Sequence, residues 1–554
     1  MNWSWKSPTW SYPAGELEWP EVRDPVVLGL LLFASIFVVY LFVLKPQRRS
    51  SLLVDGVRTP PGPPGYPLIG NLFDIPPTQS WLQLKAWADQ YGPLYRLRLG
   101  RRDHVVISTE KIANDLLRER GNQYSSREQT VMAAELLSKH LRPLLLPYND
   151  RWRRARKLMH RLTMPSSAAS YEPAQSLEAK RLLYSLLRTP TAYERIFEQY
   201  SGGLIFRIGY GKAIITGEEK QLQRIINVNH NLERIASPGI YLVDTIPALK
   251  YLPALMAPFK REARRLHAEE LSLFRELLND VQVKVSEGRF EPCFAQIFLT
   301  ERDKFPLTDD EGAYALGTLF EAGTGTTAAV MMSFCLAMTL YPEWQKPLWE
   351  EVDRVCGDRL PEFSDIPELP SVRAAIKEVL RWRPVTAGGV PHLLTQDDVY
   401  DGLFLKAGTV VHANQWAIHR EPSLYPDPER FNPERWLRPE YPTYRAPLSR
   451  FPSLQNFSSF GFGRRICPGM NVAERSLFLL TARIMWACEF SKRKDNIGND
   501  IEVPSYDYTS GFNTQPRPFQ FDLKARSEKR QQLVDEAWRH AEATDPLRVP
   551  GSLI

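Results

Sequence analysis

Residues 460–469 read FGFGRRICPG, and this stretch is the strongest signal in the chain. It fits the pattern F-x-x-G-x-R-x-C-x-G, whose five fixed positions would recur by chance in a chain this long with a probability of roughly 10⁻⁴. Gly463 and Gly469 permit a tight turn and a close approach of the backbone to another group. Gly469 also precedes a predicted helix whose N-terminus favours a negative charge on the Cys467 sulfur. The stretch therefore predicts a loop that presents a thiolate.

This loop resembles the haem-binding loop of the cytochrome P450 superfamily, and residues 378–440 are similar to those of its microsomal, fungal members. The resemblance implies haem b as the cofactor and Cys467 as the axial ligand of its iron, because a thiolate is a strong donor that favours O–O cleavage. It implies that Phe460 packs near the sulfur and that Arg465 reaches a haem propionate. Gly463 and Gly469 would let the backbone approach the porphyrin. The alternative for Cys467 is a buried, inert thiol.

Glu378 and Arg381 form an E-x-x-R pair in a helix predicted at about 371–382. At this spacing the two side chains share a helix face and can form a buried ion pair, which needs a third partner. In the P450 family that partner is an arginine of an F-x-P-E-R motif, and residues 431–435, FNPER, match the motif. The resemblance therefore implies a structural triad of Glu378, Arg381 and Arg435. The alternative for Glu378 is a surface salt bridge.

Residues 322–327 read AGTGTT within a long apolar helix. Glycine in a helix interior costs roughly 1 kcal/mol, which suggests that Gly323 and Gly325 make room for dioxygen over the haem. The resemblance assigns Thr326 as the hydroxyl that assists oxygen activation and relays protons. The alternative is a helix threonine that bonds the carbonyl four residues back. The family carries an acid where Gly325 stands, so protons would come through ordered water or with the help of Glu321.

Trp152 and Arg156 match a family pair that contacts the haem propionates, and His392 resembles a family position near the same groups. The helix that holds the pair also carries Arg151, Arg153, Arg154 and Lys157. These charges suit the docking of an acidic electron donor, which the resemblance implies to be NADPH–cytochrome P450 reductase, with NADPH as the indirect electron source. The alternatives are a solvated basic face and an ordinary core or surface histidine.

The resemblance also places several largely apolar segments around a distal pocket for a lipophilic substrate. The expected contacts are Phe320, Ala322, Val385, Val390 and Phe512. Residues 385–390 hold no charge that would anchor a carboxylate.

Residues 25–44 read PVVLGLLLFASIFVVYLFVL, an uncharged run long enough to cross a bilayer as one helix. Lys45, Arg48 and Arg49 follow it and should stay cytosolic, which places residues 1–24 in the lumen. We expect a single-pass protein of the endoplasmic reticulum membrane, in contact with lipid. The alternatives are a cleaved signal peptide and a buried core helix. Asn2 starts a glycosylation sequon in the luminal tail.

The remaining organisation follows from local patterns. We expect a linker at residues 45–65 that ends in a PPGPPG hinge, followed by the catalytic domain at 66–524. Residues 525–554 are predicted to be a C-terminal tail. A helix is expected there at 528–542, and its simplest interpretation is a helix exposed to solvent. A hairpin is expected at 94–108, and Thr308 with Glu311 forms a capping box. The fold class is mainly α with minor β (α+β), the cytochrome P450 fold preceded by one transmembrane helix.

Composition narrows the function further. The net charge of +6 over 554 residues gives no reason to expect nucleic acid as a partner. The five cysteines include no C-x-x-C pair, which argues against a disulfide framework or a zinc module.

We therefore expect a haem-thiolate monooxygenase that hydroxylates or epoxidises a lipophilic small molecule, in secondary-metabolite biosynthesis. The alternatives are an oxygen-independent isomerase or dehydratase on the same scaffold, which Gly325 keeps open, and a non-catalytic haem-binding protein.

Overall fold

A computed structural model describes residues 53–547 apart from 55, 68, 101, 238–239, 290–291 and 445–452, together with 29, 32–34 and 37. The α-helices are α1 Ser80–Tyr91, α2 Glu110–Ala113, α3 Gly121–Tyr124, α4 Asp150–Thr163, α5 Pro165–Ser170, α6 Glu172–Arg188, α7 Tyr193–Tyr210, α8 Lys220–Ala236, α9 Leu242–Thr245, α10 Pro258–Ser286, α11 Phe294–Thr300, α12 Asp309–Leu340, α13 Gln345–Cys356, α14 Pro370–Trp382, α15 Gln415–Ile418, α16 Met470–Ala487 and α17 Glu528–Ala543. Shorter 3₁₀ turns lie at Pro190–Ala192, Pro247–Tyr251, Arg302–Lys304, Pro342–Trp344, Phe363–Glu368, Pro433–Trp436, Ser458–Phe460 and Gly463–Arg465, and π-helical turns at Asn114–Glu119 and Val131–Leu137.

The strands are β1 Leu53–Val54, β2 Val57–Arg58, β3 Leu94–Leu99, β4 Arg102–Ile107, β5 His392–Leu393, β6 Asp398–Tyr400, β7 Leu403–Leu405, β8 Val410–Ala413, β9 Cys488–Lys492 and β10 Phe521–Ala525. They form sheets of order β1-β2-β7-β6, β3-β4-β8-β5 and β10-β9. The predicted hairpin is confirmed, because β3 and β4 pair antiparallel with Leu94 opposite Ile107. The mainly helical fold with minor sheet is confirmed as well.

Helix α12 runs through the core and carries the AGTGTT segment. The predicted capping box is confirmed: the Thr308 side chain accepts from the Glu311 N–H, and the Glu311 carboxylate accepts from the Thr308 N–H. The helix is long and apolar enough to cross a bilayer, but 72% of its most apolar window is buried inside the protein. Its apolar composition therefore reflects its central position in the core.

The C-terminal helix α17 differs from the expectation of a solvated tail. Its Val534, Trp538 and Ala541 are buried, and the Trp538 ring lies 6.1 Å from that of Tyr184 on α6. Just beyond the helix, Asp545 forms a buried ion pair with Arg207 of α7, at 2.7 Å. Residues 525–547 therefore belong to the body of the domain, because their apolar face has a matching surface on α6.

The proline-rich hinge also packs more closely than a free linker would. The Pro61 carbonyl accepts a hydrogen bond from the Arg96 N–H of β3 at 2.7 Å, and a side chain at Gly62 would collide with the Arg96 backbone. The hinge therefore lies along the sheet. Asn2, residues 45–50 and most of the predicted 25–44 helix lie outside the described residues.

Candidate active site

The Cys467 loop turns back on itself in front of α16. The Cys467 N–H donates to the Phe460 carbonyl at 2.8 Å, and the Phe460 ring packs against the core without being fully buried. Gly463 has φ +55°, and a side chain there would collide with the Leu117 carbonyl, so the sharp turn requires glycine. The loop shape predicted from the motif is thus set by hydrogen bonds and close packing.

Cys467 lies deep in the protein, yet the residue as a whole is only half-buried, which indicates open space next to it. Burial raises the pKa of the Cys467 thiol, while N–H groups of Gly469 and Met470 and the charge of Arg156 act to lower it. The other four cysteines are buried. Among the five cysteines, all of which lie in the described part of the chain, Cys467 alone is incompletely buried, and it also has donors that stabilise a thiolate.

Three arginines lie near one another beside the Cys467 loop: Arg127, Arg156 and Arg465. The Arg127 guanidinium donates to the Val390 carbonyl at 2.8 Å, and Arg156 donates to the carbonyl of Ile466 at 2.6 Å. Within the described residues none of the three forms an ion pair with a carboxylate. Each is thus a desolvated cation held only by neutral acceptors.

Desolvation sets the charge state of these arginines. Burial lowers the pKa of Arg127 to about 9, and burial together with repulsion from Arg127 and Arg156 lowers the pKa of Arg465 to about 8. Arg465 donates to carbonyls of Ser125 and, at 2.6 Å, Leu146, and its guanidinium lies 4.4 Å from the ring centre of Trp152. Two carboxylates, such as the propionates of haem, would satisfy such a cluster, so the residues fit that group.

His392 lies beside the same cluster. Its Nδ1 bonds to the Tyr124 carbonyl at 2.7 Å, so Nδ1 carries the proton and Nε2 is an acceptor in the neutral ring. Burial, followed by the charge of Arg127, holds the pKa of His392 well below its usual range. A neutral His392 fits a position next to cations.

The AGTGTT segment faces the open space from the other side. Ala322 is exposed and Thr326 half-buried, although they belong to a helix that is otherwise buried. The Thr326 hydroxyl donates to the Ala322 carbonyl at 2.9 Å, the local bond expected of a helix threonine. A side chain at Gly323 would press on Ile205, whereas one at Gly325 would meet nothing within 4 Å. Close packing against Ile205 therefore explains why residue 323 is glycine. At position 325 a larger side chain would fit, so Gly325 leaves empty space beside the helix.

Glu321 lies in a different environment from the one expected of a proton donor to Thr326. Both of its carboxylate oxygens accept from Arg142, which also donates to Glu270 at 2.6 Å. Arg142 is fully buried, and the two carboxylates are nearly so. The structure thus places Glu321 in an ion cluster, and its geometry gives no support to a role in proton delivery.

The expected substrate contacts divide into two groups. Val385, Val390 and Phe512 are half-buried, as pocket residues would be. Phe320, which is also predicted to contact the substrate, does not line open space. It is 1% exposed and packs edge-on against Phe206, with ring centres 4.5 Å apart. A helical period of 3.6 residues turns Phe320 away from the face of Ala322 and Thr326.

The structure brings Glu378, Arg381 and Arg435 together. Glu378 accepts from Arg381 at 2.7 and 2.9 Å and from Arg435 at 3.2 Å, and all three side chains are buried. The Trp436 indole and the Asn432 N–H also donate to Glu378, at 3.1 and 3.0 Å. The carboxylate is therefore fully satisfied, which a buried ion needs.

The basic face of α4 is partly neutralised. Arg151 lies 2.8 Å and Arg154 3.9 Å from the Glu311 carboxylate, and Arg153 pairs with Asp150. Lys157 is exposed and donates to a carbonyl. The face retains exposed positive charge, and its role in docking stays a prediction.

Sequence reasoning missed Arg127 and Arg142. Each lies in irregular chain between the hairpin and α4, where a single arginine carries no periodic signal. The only clue to Arg127 is its place after Tyr124-Ser125-Ser126, a run of hydrogen-bonding side chains.

Comparisons with known proteins agree with this geometry. The family model "Cytochrome P450" matches residues 60–523. The chain is 37% identical to cytochrome P450 monooxygenase fogE of Aspergillus ruber over 92% of this chain and 94% of that one, and 37% identical to cytochrome P450 monooxygenase virE of Hypocrea virens over 87% and 88%. A zebrafish cytochrome P450 solved with progesterone has the same fold, with a TM-score of 0.66 and 24% identity over 80% of this chain and 99% of that one.

Proposed function

The chain belongs to the cytochrome P450 family of monooxygenases, and on this premise we propose that it inserts one oxygen atom of O₂ into a lipophilic small molecule, by hydroxylation or epoxidation. The observation that carries the proposal is that one half-buried cysteine lies beside a cluster of cations that lack carboxylate partners among the described residues. The family implies haem, and this donor set fits an iron ligand on one side and two propionates on the other.

The residues of the chain have separable tasks. Bound haem would supply an iron centre at which dioxygen is reduced and split. Cys467 would hold the iron through Sγ, and Arg127, Arg156 and Arg465 would hold the propionates. Thr326 holds a proton at Oγ1 and can turn it from the Ala322 carbonyl toward the open space. Because Gly325 supplies no acid, protons would reach Thr326 through water in that space.

We propose that electrons come from NADPH through NADPH–cytochrome P450 reductase. The exposed cations of α4 support a docking surface for an acidic partner. A role in secondary-metabolite biosynthesis is part of the same proposal, as its relatives are fungal monooxygenases.

We propose further that the protein lies in the endoplasmic reticulum membrane through residues 25–44, with residues 1–24 in the lumen, Asn2 glycosylated and the catalytic domain cytosolic. A patch of exposed apolar side chains supports contact with lipid: Ile240, Leu242, Ile246, Tyr251, Leu255 and Met256.

A second candidate is an oxygen-independent isomerase or dehydratase. It is favoured by Gly325 in place of the usual acid and by the engagement of Glu321 with Arg142. Thr326 on the open face of α12 favours the monooxygenase.

The optical spectrum of the reduced protein with carbon monoxide tests the assignment. We expect a strongly red-shifted Soret band that is lost in Cys467→Ala and kept in the control Cys356→Ala. Turnover should then require dioxygen, NADPH and reductase together. A spectrum typical of histidine-ligated haem would overturn the assignment of Cys467, and product formation without dioxygen would favour the isomerase or dehydratase.

A further inference from the structure

A carboxylate lies where the end of α8 meets the turn at residues 511–513. Glu233 Oε1 accepts from the Asn513 amide nitrogen at 3.3 Å. A side chain at Gly511 would come 3.3 Å from Glu233 Oε2, so the carboxylate packs closely on the turn that carries Phe512. Helix and turn therefore meet through a polar contact next to a residue expected to line the pocket.

The contacts of α8 bring this helix against the start of the AGTGTT segment of α12. Asn229, one helical turn before Glu233 and on the same face, donates to the Glu321 carbonyl at 3.1 Å. That carbonyl adjoins Ala322, which is exposed within the central part of α12. On the other side, the Thr386 hydroxyl donates to the Asn513 amide oxygen at 3.3 Å. Glu233 thus lies close to three segments that are expected to line the substrate pocket.

Glu233 forms no ion pair within 4 Å among the residues that the structure describes. The adjacent Arg234 is turned to Glu262, at 2.6 Å, and to the Tyr241 hydroxyl. His230, one turn earlier, is exposed. Burial raises the pKa of Glu233, and the charge of His230 acts against that rise. Asn513 donates to this carboxylate through both its backbone N–H and its side-chain amide, and these bonds also act against the rise in pKa. An ionised carboxylate can accept about four hydrogen bonds, so two donors leave part of its capacity unused.

We propose, resting on the oxygen-insertion function proposed above, that Glu233 accepts a hydrogen bond from the substrate and so selects lipophilic molecules that carry an N–H or O–H donor. A molecule of the same shape without the donor would leave a desolvated carboxylate unpaired, and this is the kind of mismatch that discriminates most strongly between substrates. Glu233 is in this sense a specificity-determining residue at the roof of an otherwise apolar pocket.

Calorimetric titration of the haem-loaded protein with two matched probes tests whether Glu233 selects ligands that carry a hydrogen-bond donor. N-octylbenzamide carries one N–H donor, and N-methyl-N-octylbenzamide carries none. We expect the first probe to bind about tenfold more tightly, the effect of one hydrogen bond to a charged group. The preference should fall to about threefold or less in Glu233→Gln and disappear in Glu233→Ala. It should persist in the control Glu269→Gln, whose side chain is exposed on α10.

The outcomes separate the two proposals. Equal affinities in the wild type, failure of both probes to bind, or an unchanged preference in both Glu233 variants would overturn the role of Glu233. The carbon monoxide spectrum of each variant is recorded in parallel. Absence of the red-shifted Soret band in the wild type would count against oxygen insertion. An intact Soret band together with equal affinities for the two probes would count only against the selection of substrates that carry an N–H or O–H donor.

Discussion

The cluster around Arg142 predicts how stability depends on pH. Arg142 is one buried cation held between two buried carboxylates, Glu270 and Glu321. If both were ionised, the cluster would keep a net negative charge away from water. Burial therefore raises the pKa of Glu270 to about 7, although the charge of Arg142 and the hydroxyl of Tyr314 oppose the rise. We expect Glu270 to hold a proton in the folded protein.

The magnitude follows from linkage between protonation and folding. The pKa of Glu270 is about 7 in the folded protein and near its ordinary 4.5 when the chain unfolds. Between these values the folded state binds a proton that the unfolded state lacks, so this stabilisation is full below the unfolded pKa and is lost as pH rises through the folded one. The loss between about pH 5 and about pH 8.5 amounts to about 2.5 kcal/mol.

The variant Glu270→Gln tests this, because glutamine has the shape of the protonated side chain. Urea unfolding followed by circular dichroism at the two pH values gives the free energy of unfolding for each protein. We expect the wild type to lose about 2.5 kcal/mol more than the variant on going to the higher pH. The control Glu269→Gln, one residue earlier and exposed, should behave as the wild type does. An identical pH dependence of the unfolding free energy in wild type and Glu270→Gln would show that Glu270 does not take up a proton on folding.

Three further predictions concern the framework of the site. Glu378→Gln should lower the free energy of unfolding, measured in urea, by about 3–5 kcal/mol, because it leaves two buried arginines without a counter-charge. The control Glu350→Gln, at an exposed position, should change it by less than about 0.5 kcal/mol. Trp538→Ala should cost about 3 kcal/mol by the same assay and the exposed Arg539→Ala almost nothing; equal effects would show that α17 is not packed as described. Arg127→Met should speed transfer of haem to apomyoglobin about tenfold, and an unchanged rate would remove Arg127 from the haem site.

Local patterns were enough to predict much of the framework. The hairpin and the capping box depend on residues close together in the sequence, and the structure has both. The Cys467 loop likewise depends on glycines and a helix start within ten residues. The amphipathic pattern of the C-terminal helix predicted the helix but not the surface that buries it, because that surface belongs to α6.

The family, the thiolate loop and the triad of Glu378, Arg381 and Arg435 follow from motifs in the sequence, because each motif depends on spacings of a few residues. Which of the other charges meet depends on the tertiary structure. Arg142 joins Glu321 across 179 residues, and Glu233 meets Asn513 across 280. Such contacts depend on how helices pack on one another. A single charged residue in a loop or helix has no sequence periodicity from which its partner could be predicted. Burial then fixes their protonation, since desolvation depends on what surrounds a group in space.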